Sequence, residues 1–138
     1  MLRIVPFAII GTLVATVSAA DPIADAPKEH IGFKTLKTEV VDLGPEIGGM
    51  AGRQLRLCVL SVAPGGHIGV RSHQARPSVV YAVQGIDTIT VGDGSKTILK
   101  PGDTTSATKD TTHWHKNEGN EEVRLPAVDV FNAEKAKK

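Results

Sequence analysis

The chain has one cysteine in 138 residues. A single thiol excludes an internal disulfide and a cysteine-based zinc site. Cys58 lies in the apolar run Leu57-Cys58-Val59-Leu60 and reads as a small buried hydrophobe. Net charge is also scarce, at +1. No basic block occurs outside the short C-terminal tail, which argues against a nucleic-acid binder held by bulk charge. Only one long apolar run is present, Ile4 to Val17. At about fourteen residues it falls short of the ~20 that cross a bilayer, and Pro6 interrupts it. It follows Arg3 and precedes Ser18-Ala19-Ala20 and polar Asp21-Pro22, the pattern of a cleavable signal peptide over residues 1–20. Export to the periplasm or the extracellular space is expected. No stable membrane anchor would remain after cleavage, and the mature chain of roughly 118 residues is long enough for one compact core.

Helical periodicity is missing from the rest of the chain. Short β-rich runs recur instead between Gly, Pro and Asp punctuation. They cover 33–42, 53–62, 67–73, 78–84, 87–91, 96–99, 103–108, 113–117 and 123–131. Gly92-Asp93-Gly94 and Pro101-Gly102-Asp103 are turn signals. The pattern predicts an all-β sandwich or barrel over 33–131. A polar, proline-containing N-terminal arm (21–32) precedes it and a charged tail (132–138) follows. Two strands are apolar on both faces, Leu55 to Val62 and Val79 to Val83, so both sides need cover. Val79, Tyr81 and Val83 form an outward stripe that predicts a homodimer, or a cover supplied by the arm.

Two stretches carry the chemistry. In the first, Gly65 is followed by five residues, Arg71-x-His73, four residues, Ser78, six residues and Gly85. In the second, Pro101-Gly102-Asp103 precedes His113, three residues and Asn117. Together they resemble the two motifs of the cupin superfamily over about residues 53 to 131. The resemblance implies a small double-stranded β-helix, a jelly-roll barrel. In metal-binding cupins two His and a Glu of the first motif and the His of the second hold a divalent ion. This chain matches that set at His73 and His113 only. Arg71 stands in place of the first His and Ser78 in place of the Glu. An arginine stays protonated and cannot ligate a metal.

Strand parity orders the candidates independently. Arg71 and His73 share one face, as do His113, His115 and Asn117, and a bulge would shift either register. The expected interior holds Arg71, His73, Ser78, His113 and His115, with no acidic residue nearby on those faces. A buried arginine needs a counter-charge or several acceptors. The leading expectation is therefore a binding module, weakly catalytic at most, for a small anionic ligand such as a carboxylate or sugar acid. The alternative is a metal-dependent enzyme of dioxygenase, isomerase or decarboxylase type. Its ligands would be His73, His113 and either His115 or His67, holding iron, manganese, nickel or zinc. A third reading is a non-catalytic structural cupin. Plainer roles stand beside these: His67 and Arg76 as loop residues, Arg71 snorkelling to solvent, Asn117 as a structural turn residue, and Trp114 packing on the outer face.

Overall fold

The computed structural model describes Asp21 and residues 23–134. The predicted export segment and the last four residues lie outside them. Eight strands and no helix occur among the described residues: β1 (Ile31–Asp42), β2 (Arg53–Ser72), β3 (Ser78–Tyr81), β4 (Asp87–Val91), β5 (Lys96–Leu99), β6 (Thr104–Ala107), β7 (Thr112–Lys116) and β8 (Val123–Asn132). The expected strands are present with small changes at their ends. The arm gives up Ile31 and Gly32 to β1, and β8 takes Asn132 from the tail. All pairings are antiparallel, in the order β5-β4-β7-β2-β8-β3-β6, with β1 added beside β2. The sheet rolls into a nearly closed all-β barrel.

The longest strand organises the barrel. β2 was expected as two strands broken at Pro64-Gly65-Gly66, and it is one of 20 residues. The glycines carry the ladder through, because Gly65 N–H donates to Asn117 O and Asn117 N–H donates to Gly66 O, both at 3.0 Å. The first half of β2 pairs with β1 and β8, the second half with β7. Val62, Ile68, Ala82, Ile89, Leu99, Val123 and Leu125 form the buried core. Each fully buried large aliphatic among them contributes about 1.5–3 kcal/mol. Gly85 turns the chain from β3 towards β4 at φ 72°, and a Cβ there would meet Glu122 O at 2.6 Å. No substitution fits both constraints without strain.

One irregularity decides what faces the interior. Ile68 pairs with His115, and Arg71 pairs with His113. Three steps along β2 therefore match two along β7, a bulge of one extra residue. Without it, Ile68 and Arg71 would face opposite sides. With it, core Ile68 and site residues Arg71 and His73 all point inward. The register shift falls in β2, so β7 keeps regular alternation and both His113 and His115 face the interior.

The bulge leaves two backbone N–H groups off the ladder, and the N-terminal arm satisfies them. Val70 N–H donates to Pro27 O at 2.7 Å, and Gly69 N–H donates to His30 Nδ1 at 2.9 Å. Gly69 is required by proximity, since a Cβ would run into the Lys28 carbonyl. The arm is thus stitched to the barrel and delivers Lys28 and His30 to its mouth.

The outer face of β2, β8 and β3 is apolar. Leu57 and Val79 both pair with Val128. Val79 and Tyr81 remain 56% and 50% exposed. A concavity of about 530 Å³ on this face, lined by Val79, Tyr81, Pro126 and Val128 among others, is far poorer in ionisable groups than the barrel mouth.

Candidate functional site

Three histidines form the deep part of the site. His73 follows β2, and His113 and His115 sit on β7. They are 5%, 6% and 5% exposed. The Nε2 atoms of His73 and His113 lie 3.0 Å apart, and those of His113 and His115 lie 3.4 Å apart. Both ring pairs meet edge to face. His73 Nδ1 lies 2.8 Å from Arg76 O. A carbonyl only accepts, so this nitrogen carries the proton and His73 Nε2 is bare. Ser78 Oγ stands 3.3 Å from the same Nδ1. His115 Nδ1 donates to Asp87 Oδ2 at 2.6 Å, and in the neutral ring Nε2 is then bare as well. Only His113 can bring a proton to the shared space, and it can satisfy one neighbour at a time. While the rings are neutral, the cluster holds more nitrogen lone pairs than protons.

Electrostatics keep two of these rings neutral. Burial lowers the His73 pKa, and the Arg76 and Arg71 cations add to the fall. His113 is pushed down to about 3, first by burial, then by His115 and His73, and further by Arg71 and Arg76. Neutral imidazole accepts a proton from a ligand or lends a lone pair to a metal.

Arg71, opposite His113 in the ladder, also lines a cavity of about 450 Å³ whose polar lining includes Lys28, His30, Arg56 and Arg76 as well, and none of the three clustered histidines. Arg56 and Asp129 are cross-strand partners on β2 and β8. Their two hydrogen bonds, of 2.9 and 2.8 Å, form a bidentate pair. The Arg56 guanidinium also stacks 3.6 Å over the Phe131 ring. Arg76 Nε lies 3.7 Å from the same Asp129 carboxylate. Arg71 makes no salt bridge among the described residues. Its guanidinium sits 5.8 Å from the Phe33 ring centroid. Burial first, and repulsion from Arg76 second, push its pKa down to about 10. It is still a full cation at neutral pH.

The structure thus brings Arg71, His73, Ser78, His113 and His115 together and corrects several expectations. Acidic residues do stand on the inner faces: Asp87 on β4 holds His115, and Asp129 on β8 holds Arg56. Asp129 stands directly opposite Arg56, and Asp87 reaches His115 diagonally from β4, where Ile89 is the residue opposite; neither is visible without knowing which strands pair. Arg76 is more than a loop residue, since its carbonyl anchors His73 and its side chain lines the cavity. Arg71 points into the cavity instead of snorkelling to open solvent. His67 has no place in the cluster: it pairs with Lys116, while its neighbour Ile68 takes the inward position. Cys58 is half-buried and lines the cavity. Asn117 is fully buried and structural, with its amide donating to Val62 O and Glu121 O and its carbonyl accepting from Gly119 N–H. Trp114 is half-buried, and its Nε1 has no hydrogen-bond partner among the described residues.

The cluster can be tested against the divalent metal that the fold implies. The donor chemistry suits one, with three imidazoles and two Nδ1–H groups fixed by a carboxylate and a carbonyl. Ring nitrogens about 2.0–2.1 Å from a tetrahedral ion lie about 3.4 Å apart, close to both adjacent spacings. The series is open, however, with no hydrogen bond between its ends. Among the described residues no group of three or more His, Cys, Asp and Glu is arranged to hold a metal as it stands.

Comparison with known proteins bears on the fold and the family. No curated protein matches the chain in sequence. A double-stranded β-helix protein from Klebsiella pneumoniae superposes with a TM-score of 0.57 at 17% identity, covering 86% of this chain and 92% of that one. A predicted oxalate decarboxylase from Thermotoga maritima gives 0.53 at 19% identity, over 82% and 99%. An oxalate oxidase in complex with glycolate gives 0.53 at 15%, over 71% of this chain and only 50% of its own. Likeness at these identities shows the fold. Residues 58–131, more than half of the chain, match the family model for the cupin domain, and the chain belongs to the cupin superfamily.

Proposed function

We propose that this cupin binds a small carboxylate in the mouth of its barrel, outside the cytoplasm and as a homodimer, with any catalysis weak and secondary. The single observation that carries the reading is Arg71. It is a desolvated cation with no salt bridge among the described residues, in a cavity that no carboxylate lines, and the Asp129 carboxylate beyond it already takes two hydrogen bonds from Arg56. A planar guanidinium offers a fork of donors matched to a carboxylate, and water-poor surroundings strengthen the pair. Neutral His73 and His113 lie close enough to Arg71 to feel its charge. They would accept hydrogen bonds from hydroxyl groups of the ligand and take up or return a proton. Small carboxylates are also what the oxalate oxidase and the predicted oxalate decarboxylase are named for; for this chain the reading stands on its own residues. Export is supported by the apolar run ending at Ser18-Ala19-Ala20, and dimerisation by the exposed apolar face.

The test is calorimetric titration of the mature protein with acetate at low ionic strength. Saturable binding that Arg71→Gln weakens by about 1.5–3 kcal/mol, the range of a charged hydrogen bond, supports the reading. Equal affinity in both proteins removes it.

A second reading keeps a divalent metal on His73, His113 and His115. It is favoured by the anchored Nδ1–H groups of His73 and His115, which leave bare Nε2 atoms facing His113. Such an ion would supply Lewis-acid or redox chemistry beside the carboxylate. Metal analysis of the purified protein, before and after dialysis against a chelator, separates it from the first.

A further inference from the structure

The charge balance of the mouth exceeds what one carboxylate requires. Lys28, Arg56, Arg71 and Arg76 all line the cavity and no acidic residue does; Asp129 pairs with Arg56 and lies 3.7 Å from Arg76, and Glu29 of the arm acts on His30 alone among these groups. Asp129 neutralises Arg56 and part of Arg76. Lys28 and Arg71 make no salt bridge among the described residues. His30 adds a directed donor. Its Nδ1 accepts the Gly69 N–H, so the neutral ring carries its proton on Nε2. Lys28 and His30 belong to the arm, whereas Arg71 and Arg76 flank the end of β2. The two groups of donors therefore come from separate elements held together by the bulge contacts at Gly69 and Val70.

We infer that the physiological ligand carries at least two separated anionic groups. One is held by Arg71 and Arg76, and the other by Lys28 and His30 of the N-terminal arm. The inference rests on the anion reading above and deepens it. A monocarboxylate would leave the arm's cation unanswered. The arm is then a recognition element: it selects for the far end of the ligand while β2 holds the near end.

The experiment compares acetate, malonate and succinate by calorimetry on the mature protein at fixed ionic strength, in wild type and in Lys28→Gln. Lys28 is exposed, so its replacement tests the arm without disturbing the core. The expected result is that a dicarboxylate binds at least about ten-fold more tightly than acetate, the equivalent of one added contact of 1.4 kcal/mol. Lys28→Gln should remove most of that advantage while changing acetate affinity much less. Three outcomes overturn the inference. If acetate binds as tightly as the dicarboxylates, the two-anion claim fails and the simple anion reading survives. If Lys28→Gln weakens all three ligands equally, the lysine contributes only general charge and the arm recognises nothing. If none of the three binds, the anion reading fails and this inference with it.

Discussion

Replacing Arg71 with Met should make the ligand-free protein more stable. Methionine keeps much of the length and apolar stem of arginine and loses the charge. The magnitude follows from the site. The fall of the Arg71 pKa to about 10, at 1.36 kcal/mol per pKa unit, corresponds to at most about 3 kcal/mol held against the folded cation. Partial exposure of the side chain reduces that, and the lost contact with Phe33 offsets up to about 1 kcal/mol more. A net gain of about 1–2 kcal/mol is expected, in line with buried charges replaced by apolar residues of similar volume. For a domain of this size that raises the melting temperature by roughly 4–8 °C. The pH dependence carries a sign that can be checked. A cation with a depressed folded pKa destabilises at every pH below about 10 and is relieved as pH rises above it. The gain from Arg71→Met should therefore be constant across neutral pH and shrink in strong alkali. Urea and thermal melts measure both. Acetate at about 100 times its Kd should then stabilise wild type by about 2.7 kcal/mol and the variant hardly at all. If Arg71→Met instead destabilises the protein by more than about 1 kcal/mol, the guanidinium holds the barrel together, and the case for it as a ligand group collapses.

Other expectations follow from the same geometry. Asp87→Asn should reduce zinc affinity at the histidine cluster by about 10–100-fold, because Asp87 fixes the His115 ring; unchanged calorimetric affinity would argue against metal at this cluster. His73 and His113 are held neutral in the folded state. The unfolded chain therefore binds the extra protons, and stability should fall as pH drops below about 6.5. His113→Asn should flatten that slope between pH 6.5 and 5 in urea melts, and an unaltered slope would contradict the shift. Val79→Glu on the apolar outer face should convert a dimer to a monomer in sedimentation, unless wild type is already monomeric at micromolar concentration. N-terminal sequencing from the native host should begin at or near Asp21, and protein retaining Met1 would rule out signal cleavage.

Much of the barrel was legible because its strands obey a period of two and end at Gly, Pro and Asp. Asp87–Val91 and Lys96–Leu99 lie where that pattern puts them. The break expected at Pro64-Gly65-Gly66 failed because Asn117, fifty residues on, supplies the hydrogen bonds that carry the strand through. Parity grouped Arg71 with His73, and His113 with His115. What parity alone could not decide was whether the core residue Ile68 shared their side, because that depends on a bulge of one residue. The signal for the bulge was Gly69, a small residue inside an apolar strand, where an approaching backbone leaves no room for a Cβ. Asp87, Asp129, Arg56 and the arm residues Lys28 and His30 were missed for one reason: each reaches the site from a different strand or from the arm. Asp87 stands out as a lone acid opening the run Thr88-Ile89-Thr90-Val91, yet its partner His115 is 28 residues away in sequence.

If Arg71 is the anion-binding group of the barrel, the NMR signal of its Nε–H reports the bound anion. Assigned by comparison with Arg71→Met, the signal should move saturably when acetate is added at fixed ionic strength and pH. The Arg56 Nε–H, held by Asp129, should move far less. An Arg71 signal that stays in place while acetate binding is detected calorimetrically would put the anion elsewhere and rule Arg71 out as its partner.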